Sequence, residues 1–322
     1  MNGRCGAGLH PAAGLTYKIT LLLAAAALSL HATTYYVTVA GLGGEQDYEQ
    51  RFSGWAKDID KVLKGSADAK ITTLYGPDAT RAKVQSAFGQ ISKEAKPDDV
   101  LVVMLIGHGT YDGVDYKINL PGPDLSGVEL AALLDHMPAK RQLVVNMTSC
   151  SGGSRALLQK PGRAIITATK TGSERNATVF ARYWVEALRD PAADTDKNET
   201  ISALEAFRYA EQKTSQYYDS QKRLATEHAM LEDTGKGDGV KAPSPENGEG
   251  LLASRFPLLR TGAAEAAISD PHKKELMAHK EDIEQQIDQL KYQKAAMAPD
   301  AYKKQLTTLL LDLAKTQAEL DK

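Results

Sequence analysis

Two residues of this chain are of types, and in settings, that suit covalent catalysis. His108 stands between Gly107 and Gly109 directly after the apolar run 101–106, and Cys150 follows the apolar run 143–145 by way of Asn146, Met147, Thr148 and Ser149. A thiol attacks a carbonyl carbon well only as thiolate, and a nearby imidazole takes the thiol proton and later returns it to the leaving amine. The pair reads as a dyad, with Cys150 as nucleophile and His108 as general acid and base, and it requires no cofactor. Gly109 has no side chain, so its backbone N–H can approach a reacting carbonyl. Together with the N–H of Cys150 it is the expected oxyanion hole, where one donor is commonly worth about 3 kcal/mol. Gly152 and Gly153 are expected to leave room for substrate backbone.

Each of these residues lies just beyond a short, nearly continuous apolar run, the composition of a strand buried on both faces of a parallel sheet. Two neighbouring parallel strands would deliver both side chains to the same sheet edge, where loops rather than packed backbone leave space for a ligand. The rest of the chain supplies such a sheet. Strands are expected at 34–39, 70–75 and 162–168. Helices are expected where Tyr48, Phe52, Trp55, Ile59 and Val62, then Val84, Ala87, Phe88 and Ile91, and later Val179, Phe180, Tyr183, Trp184 and Leu188 recur at helical spacing. Ser126 and Glu129 have the spacing of a capping box, opening a helix whose expected buried face is Val128, Leu130, Leu133, Leu134 and Met137. Residues 111–122 read as an inserted hairpin. Alternating strands and helices imply an α/β fold with right-handed crossovers.

The 322 residues, 42% hydrophobic and 25% charged, are enough for one large core and an appendage. A net charge of -2 without a basic, aromatic-rich stripe argues against nucleic acid as a partner. The apolar stretch 19–30, preceded by Arg4 and Lys18 and followed by small residues near Ala32, has the pattern of a signal peptide. Residues 1–32 are therefore expected to direct export to the periplasm or the medium, with a membrane anchor as the alternative if the segment is uncleaved. Its removal would take Cys5 and leave Cys150 as the sole cysteine, unable to form an internal disulfide.

An apolar strand ending in Gly107-His108-Gly109, followed by another ending in Ser149-Cys150 and small residues, resembles the two signature blocks of the caspase–legumain clan of cysteine peptidases. The likeness covers 34–221 by order of elements. Cys150-Ser151-Gly152-Gly153-Ser154 is closer to the legumain pattern than to the caspase one. The resemblance implies a three-layer αβα sandwich around about six mostly parallel strands, and hydrolysis of peptide bonds in a protein or peptide substrate through a Cys150 thioester. It makes 33–223 the catalytic domain, completed by a loop-rich segment at 224–269. Arg51, Ser149 and Ser151 are the candidate substrate contacts, although the acidic residue that legumains carry after the cysteine is replaced by Ser151. A catalytically silent assembly module, or a transpeptidase using the same dyad, are the alternative readings.

Asp194, Asp196, Asn198, Thr200, Ser202 and Glu205 take positions 1, 3, 5, 7, 9 and 12 of a twelve-residue loop. That is the spacing of an EF-hand calcium site. Glu199 stands where the sharp turn wants glycine, so a calcium ion on Asp194, Asp196, Asn198, Thr200 and Glu205 competes with a solvated loop capping the next helix. The segment 232–239 reads as a flexible loop, and His228 as a surface residue. Beyond Pro271, Leu276, Ile283, Ile287 and Leu290, and then Tyr302, Leu306, Leu309, Leu313, Thr316 and Leu320, form the seam of an antiparallel helical hairpin at 270–322. The same seam could support self-association.

Overall fold

Runs of aliphatic and β-branched residues build the strands, and amphipathic stretches build the helices that cover them. The computed structural model describes residues 32–65, 69–267 and 270–322. The expected signal segment lies outside these residues apart from Ala32. In chain order the first elements are β1 (Thr34–Ala40), α1 (Gln46–Leu63), β2 (Ala69–Leu74), α2 (Arg81–Glu94) and β3 (Val100–Ile106). Next come β4 (Gly109–Tyr111), β5 (Tyr116–Ile118), β6 (Leu125–Ser126), α3 (Gly127–Asp135), β7 (Arg141–Asn146), α4 (Arg155–Leu158), β8 (Arg163–Thr167) and α5 (Phe180–Ala187). The remainder is β9 (Thr200–Ser202), α6 (Ala203–Ser220), β10 (Met230–Glu232), β11 (Pro257–Arg260), α7 (Gly262–Ala267), α8 (Pro271–Gln293) and α9 (Pro299–Leu320).

Six strands form the central sheet in the order β10-β8-β7-β3-β1-β2, all parallel except β10 at one edge. Alternate residues of each strand feed two cores. Val102, Met104 and Ile106 of β3 join Phe52 and Ile59 of α1, Phe180 and Trp184 of α5 and Phe207 of α6 on one face. Leu101, Val103 and Leu105 join Phe88 of α2 and Leu130 and Leu134 of α3 on the other. The result is a three-layer αβα sandwich, and all seven residues of β3 are buried in it. Each large aliphatic side chain so buried contributes roughly 1.5–3 kcal/mol, which makes β3 the best-anchored strand near the site.

The structure alters several local expectations. The 111–122 insertion belongs to a three-stranded sheet, β4-β5-β6, that continues directly from His108. The capping box of Ser126 and Glu129 is formed, yet Val128 is 59% exposed. It lies two residues before Leu130, about 200° around the helix from the buried face. The loop-rich stretch contributes β10 to the central sheet, and β11 pairs with β9. Segment 232–239 is a structured turn, because Glu232 accepts hydrogen bonds from the N–H groups of Thr234, Lys236 and Gly237.

Helices α8 and α9 run antiparallel. Lys273 Nζ near the start of α8 donates to the Leu320 carbonyl (3.0 Å), and His279 lies 3.5 Å from Asp312. Met277, Ile283, Ile287 and Leu290 are buried, whereas α9 buries only Thr316 among its described side chains. The hairpin is fastened to the α/β body by Arg260, which donates twice to Glu281 (2.8 and 3.0 Å), and by the Tyr292 hydroxyl, which donates to the Glu249 carbonyl (2.7 Å). Among the described residues no helix is long and apolar enough to cross a membrane.

Candidate active site

Adjacent parallel strands β3 and β7, in register at Leu105 and Asn146, carry His108 and Cys150 on the loops that follow them. Gly107 makes the turn out of β3 with φ +142°, and a Cβ there would stand 3.3 Å from the backbone nitrogen of Gly41. The turn delivers a half-buried His108 to α1. Its ring meets Tyr48 and Phe52 edge-on, with centroids 4.8 and 5.1 Å away. Tyr48 and Phe52 are four residues apart and so share one face of α1. Loss of water pushes the imidazole pKa below its ordinary value, against a backbone hydrogen bond with Gly43 and the charges of Glu45 and Glu49. His108 is therefore neutral at pH 7 and free to accept a proton.

Cys150 is 1% exposed and sits in the left-handed region, at φ 57° and ψ 7°. That conformation costs an L-residue roughly 1–2 kcal/mol, so the surroundings must impose it. Its own backbone bonds hold it, the N–H to the Glu174 carbonyl (2.8 Å) and the carbonyl to the Gly153 N–H (2.9 Å), and a buried polar network braces the flanking residues. The Tyr116 hydroxyl lies 2.6 Å from Thr148 Oγ1 and donates to Asn146 Oδ1 (3.2 Å), and Asn146 Nδ2 donates to Ser154 Oγ (3.0 Å). Burial raises the thiol pKa, while the Arg175 guanidinium works in the opposite direction. Both directions of shift favour the uncharged forms, a protonated thiol and a neutral imidazole, over an ion pair. Among the described residues no hydrogen bond joins His108 to Cys150.

The two loops are clamped together one residue away from each candidate. Gly109 N–H donates to Ser149 Oγ (3.0 Å), and the same hydroxyl donates back to the Gly109 carbonyl (3.2 Å). Glycine is required here, since a Cβ would lie 2.5 Å from the Ser149 carbonyl oxygen. The N–H of Cys150 donates to the Glu174 carbonyl (2.8 Å). Both expected oxyanion donors are thus engaged internally, which corrects the expectation that they stand free.

The expected substrate contacts are also redistributed. Ser149 is 2% exposed and occupied by the clamp, and Ser151 is fully buried against Thr169 Oγ1 and the Thr169 N–H (3.1 Å each). Neither can reach substrate, because a small hydroxyl beside a buried strand end is more stable bonded to backbone than facing solvent. Space around Gly152 is filled by the Lys170 backbone and that around Gly153 by the Tyr111 ring, not by a vacant groove. Arg51 is exposed and paired with Asp47, with its guanidinium 5.6 Å from the Tyr48 ring centroid. It therefore stands one aromatic ring away from His108.

Sequence reasoning missed the segment that packs over Cys150. Glu174 accepts the Cys150 N–H with its carbonyl, and its carboxylate is held by the Lys170 N–H (2.8 Å) and by His228 through both backbone N–H (3.2 Å) and Nδ1 (2.7 Å). His228 is thus a partner of this segment rather than an isolated surface residue. Next to it, the buried Glu227 receives the Val179 and Phe180 N–H groups at the start of α5 (2.7 and 3.2 Å). Burial lifts its carboxyl pKa to about 7 despite those bonds. The bonds made by Glu227 and His228 join residues about 50 positions apart, and no local pattern announces them.

The calcium-like loop is assembled with Asp194 and Glu205 buried and Asp196 exposed. Glu199, where glycine was wanted, adopts φ +67° and makes the turn nonetheless. Thr200 forms part of β9, and Ser202 and Glu205 form a capping box at the start of α6. Asp196 has surface facing a cavity under the hairpin, but it is enclosed enough that desolvation, added to by Glu205 and Asp194, pushes its pKa up to about 6.

No protein-family model matches the sequence, and no curated protein is significantly similar to it. Solved structures that resemble the chain include the Drosophila initiator caspase Dronc, at 10% identity and a TM-score of 0.42 over 63% of this chain and 80% of that one. Caspase-1 of Spodoptera frugiperda is similar at 16% identity and a TM-score of 0.44, over 63% and 87% of the two chains. Protein GSU0716 of Geobacter sulfurreducens is similar at 14% identity and a TM-score of 0.44, over 72% and 99%.

Proposed function

We propose that the chain is a cysteine endopeptidase in which Cys150 and His108 cleave peptide bonds. The observation that carries this reading is the Gly109–Ser149 clamp, which ties together the loops bearing the imidazole and the thiol at the residues beside them. His108, neutral at pH 7, takes the Cys150 proton as the sulfur attacks the scissile carbonyl carbon. It then gives that proton to the amine as the C–N bond breaks, leaving a thioester. Water, deprotonated by the same imidazole, releases the acid product and restores the thiol. The oxyanion needs donors, and Gly109 N–H and Cys150 N–H serve only when substrate displaces Ser149 Oγ and the Glu174 carbonyl. We therefore read the arrangement as a resting state. The order Cys150-Ser151-Gly152-Gly153-Ser154 favours the legumain type, and the apolar run 19–30 favours an exported enzyme.

A second reading, a catalytically silent assembly module, is favoured by the same engaged donors and by the raised thiol pKa. Cleavage of a diverse peptide library by the full chain, beside Cys150→Ala, separates the two. Cuts after one residue type that vanish in the variant are expected. Absence of Cys150-dependent cutting, with or without calcium, supports the silent module.

A further inference from the structure

A cavity of about 600 Å³ lies between the α/β body and the hairpin, and its wall includes Asp196, Asn198, Thr200, Glu205, Glu284 and Asp288. Asp194, Asp196 and Glu205 each present a carboxylate oxygen within 4.8 Å of the others. A fourth carboxylate comes from the hairpin, where Glu284 Oε2 accepts from Asn198 Nδ2 at 3.1 Å. Cations share the wall but are engaged away from the three carboxylates: Arg208 donates to the Pro243 carbonyl (2.9 Å), Arg255 to Gln289 Oε1 (3.3 Å) and Lys291 to Asp288 Oδ1 (2.9 Å). Lys280 Nζ lies 4.0 Å from Glu284 and donates to the Asn198 carbonyl (3.4 Å), while the Lys197 ammonium is turned to the carbonyls of Pro191 and Asp194.

A second observation at the same wall points to an absent partner. Thr200 is only 6% exposed, and its hydroxyl oxygen is buried without a hydrogen-bond partner. A buried hydroxyl is normally satisfied by protein, water or ion. Carboxylates and a hydroxyl are hard oxygen donors, which select calcium or magnesium over the softer transition metals. Several protein oxygens on an irregular loop suit calcium, whereas magnesium demands a strict octahedron and keeps its waters.

We propose that the 194–205 loop and Glu284 of α8 bind one calcium ion, which fastens the C-terminal hairpin to the α/β body. Binding would offset the mutual repulsion of the loop carboxylates, each of which already accepts backbone N–H bonds, and would join an element of the sandwich to an element of the hairpin through a single ion. The ion plays no part in thioester chemistry, so the proposal stands whether or not the dyad is active.

The test uses the full chain freed of metal by a chelator and titrated with CaCl2 in a calorimeter, with amide hydrogen exchange of α8 followed in parallel. Asp196→Asn and Glu284→Gln are the informative variants, since neither residue caps a helix. Expected are calcium binding with slower exchange across 280–290, affinity at least tenfold lower in Asp196→Asn, and loss of the exchange effect in Glu284→Gln. No binding up to about 10 mM, beyond the range of weak calcium modules, overturns the proposal. So does undiminished affinity in Asp196→Asn, exchange in α8 that ignores calcium, or magnesium binding as tight as calcium.

Discussion

Ser149→Ala is the substitution that most sharply separates holding the site together from competing with it. The hydroxyl is 2% exposed and bonds both backbone groups of Gly109, at 3.0 and 3.2 Å. Alanine fits the same space without a cavity, so the loss is that of hydrogen bonding alone. Leaving a buried N–H and carbonyl unpaired costs about 2–3 kcal/mol in total. For a chain of this size that lowers the melting temperature by roughly 5–10 °C. If Gly109 N–H serves the oxyanion, the wild-type enzyme must first break its bond to Ser149 Oγ, at a net cost of about 1 kcal/mol. The variant is spared that step, so kcat/KM on the best peptide should rise about fivefold while stability falls. Thermal denaturation and steady-state cleavage measure the two effects. A kcat/KM that drops a hundredfold together with the melting temperature would refute the oxyanion role of Gly109, and an unchanged melting temperature would refute the clamp.

Three further outcomes are expected. Because His108 must be neutral to act and its pKa lies below the ordinary value, activity should persist below pH 6.5 and fail as pH drops through the lowered pKa. Tyr48→Ser, by admitting water to the ring, should move that acid limb up toward about 6.5, and an unmoved limb would contradict desolvation as its cause. Glu227 has a folded-state pKa of about 7, above its unfolded value, so its contribution is fully present below about pH 4.3 and lost as pH rises through about 7. Unfolding free energies from urea titrations at pH 5 and pH 8 should differ by about 2 kcal/mol more in the wild type than in Glu227→Gln, and equal differences would remove the role of Glu227. Arg175→Ala removes the cation that draws the Cys150 pKa down, so iodoacetamide labelling at pH 8 should slow modestly, because the exposed Arg175 guanidinium is screened by salt. A faster or unchanged rate would show that Arg175 does not act on the thiol.

The sheet was legible because β3 is a continuous apolar run and β1, β7 and β8 are short segments rich in aliphatic and β-branched residues, which a doubly covered sheet buries. Helix starts were legible where a capping residue and its partner lie three positions apart, as at Ser126 and Glu129. β10 and β11 were not, since three- and four-residue strands carry too little periodicity and take their partners from distant sequence. At the site, residue type identified which side chains could do chemistry, but not which backbone groups they would leave free. Ser149 and Ser151 read as polar and therefore accessible, whereas their small hydroxyls are consumed in holding backbone. Glu174 and His228 reach Cys150 only through the tertiary fold, 24 and 78 positions further along the chain, and neither stands in a pattern that marks it.

The central claim is that Cys150 becomes a nucleophile through His108 once a peptide occupies the site. Its most direct test is the rate at which a peptidyl electrophile with a poor intrinsic reactivity modifies Cys150, followed by intact mass in the wild type and in His108→Ala, with iodoacetamide as the control for simple exposure. The account predicts specific modification of Cys150 by the peptidyl reagent, slowed at least about a hundredfold without His108, and slow iodoacetamide labelling in both proteins near pH 7. Equal peptidyl rates in the two proteins, or labelling no faster than with iodoacetamide, would contradict it.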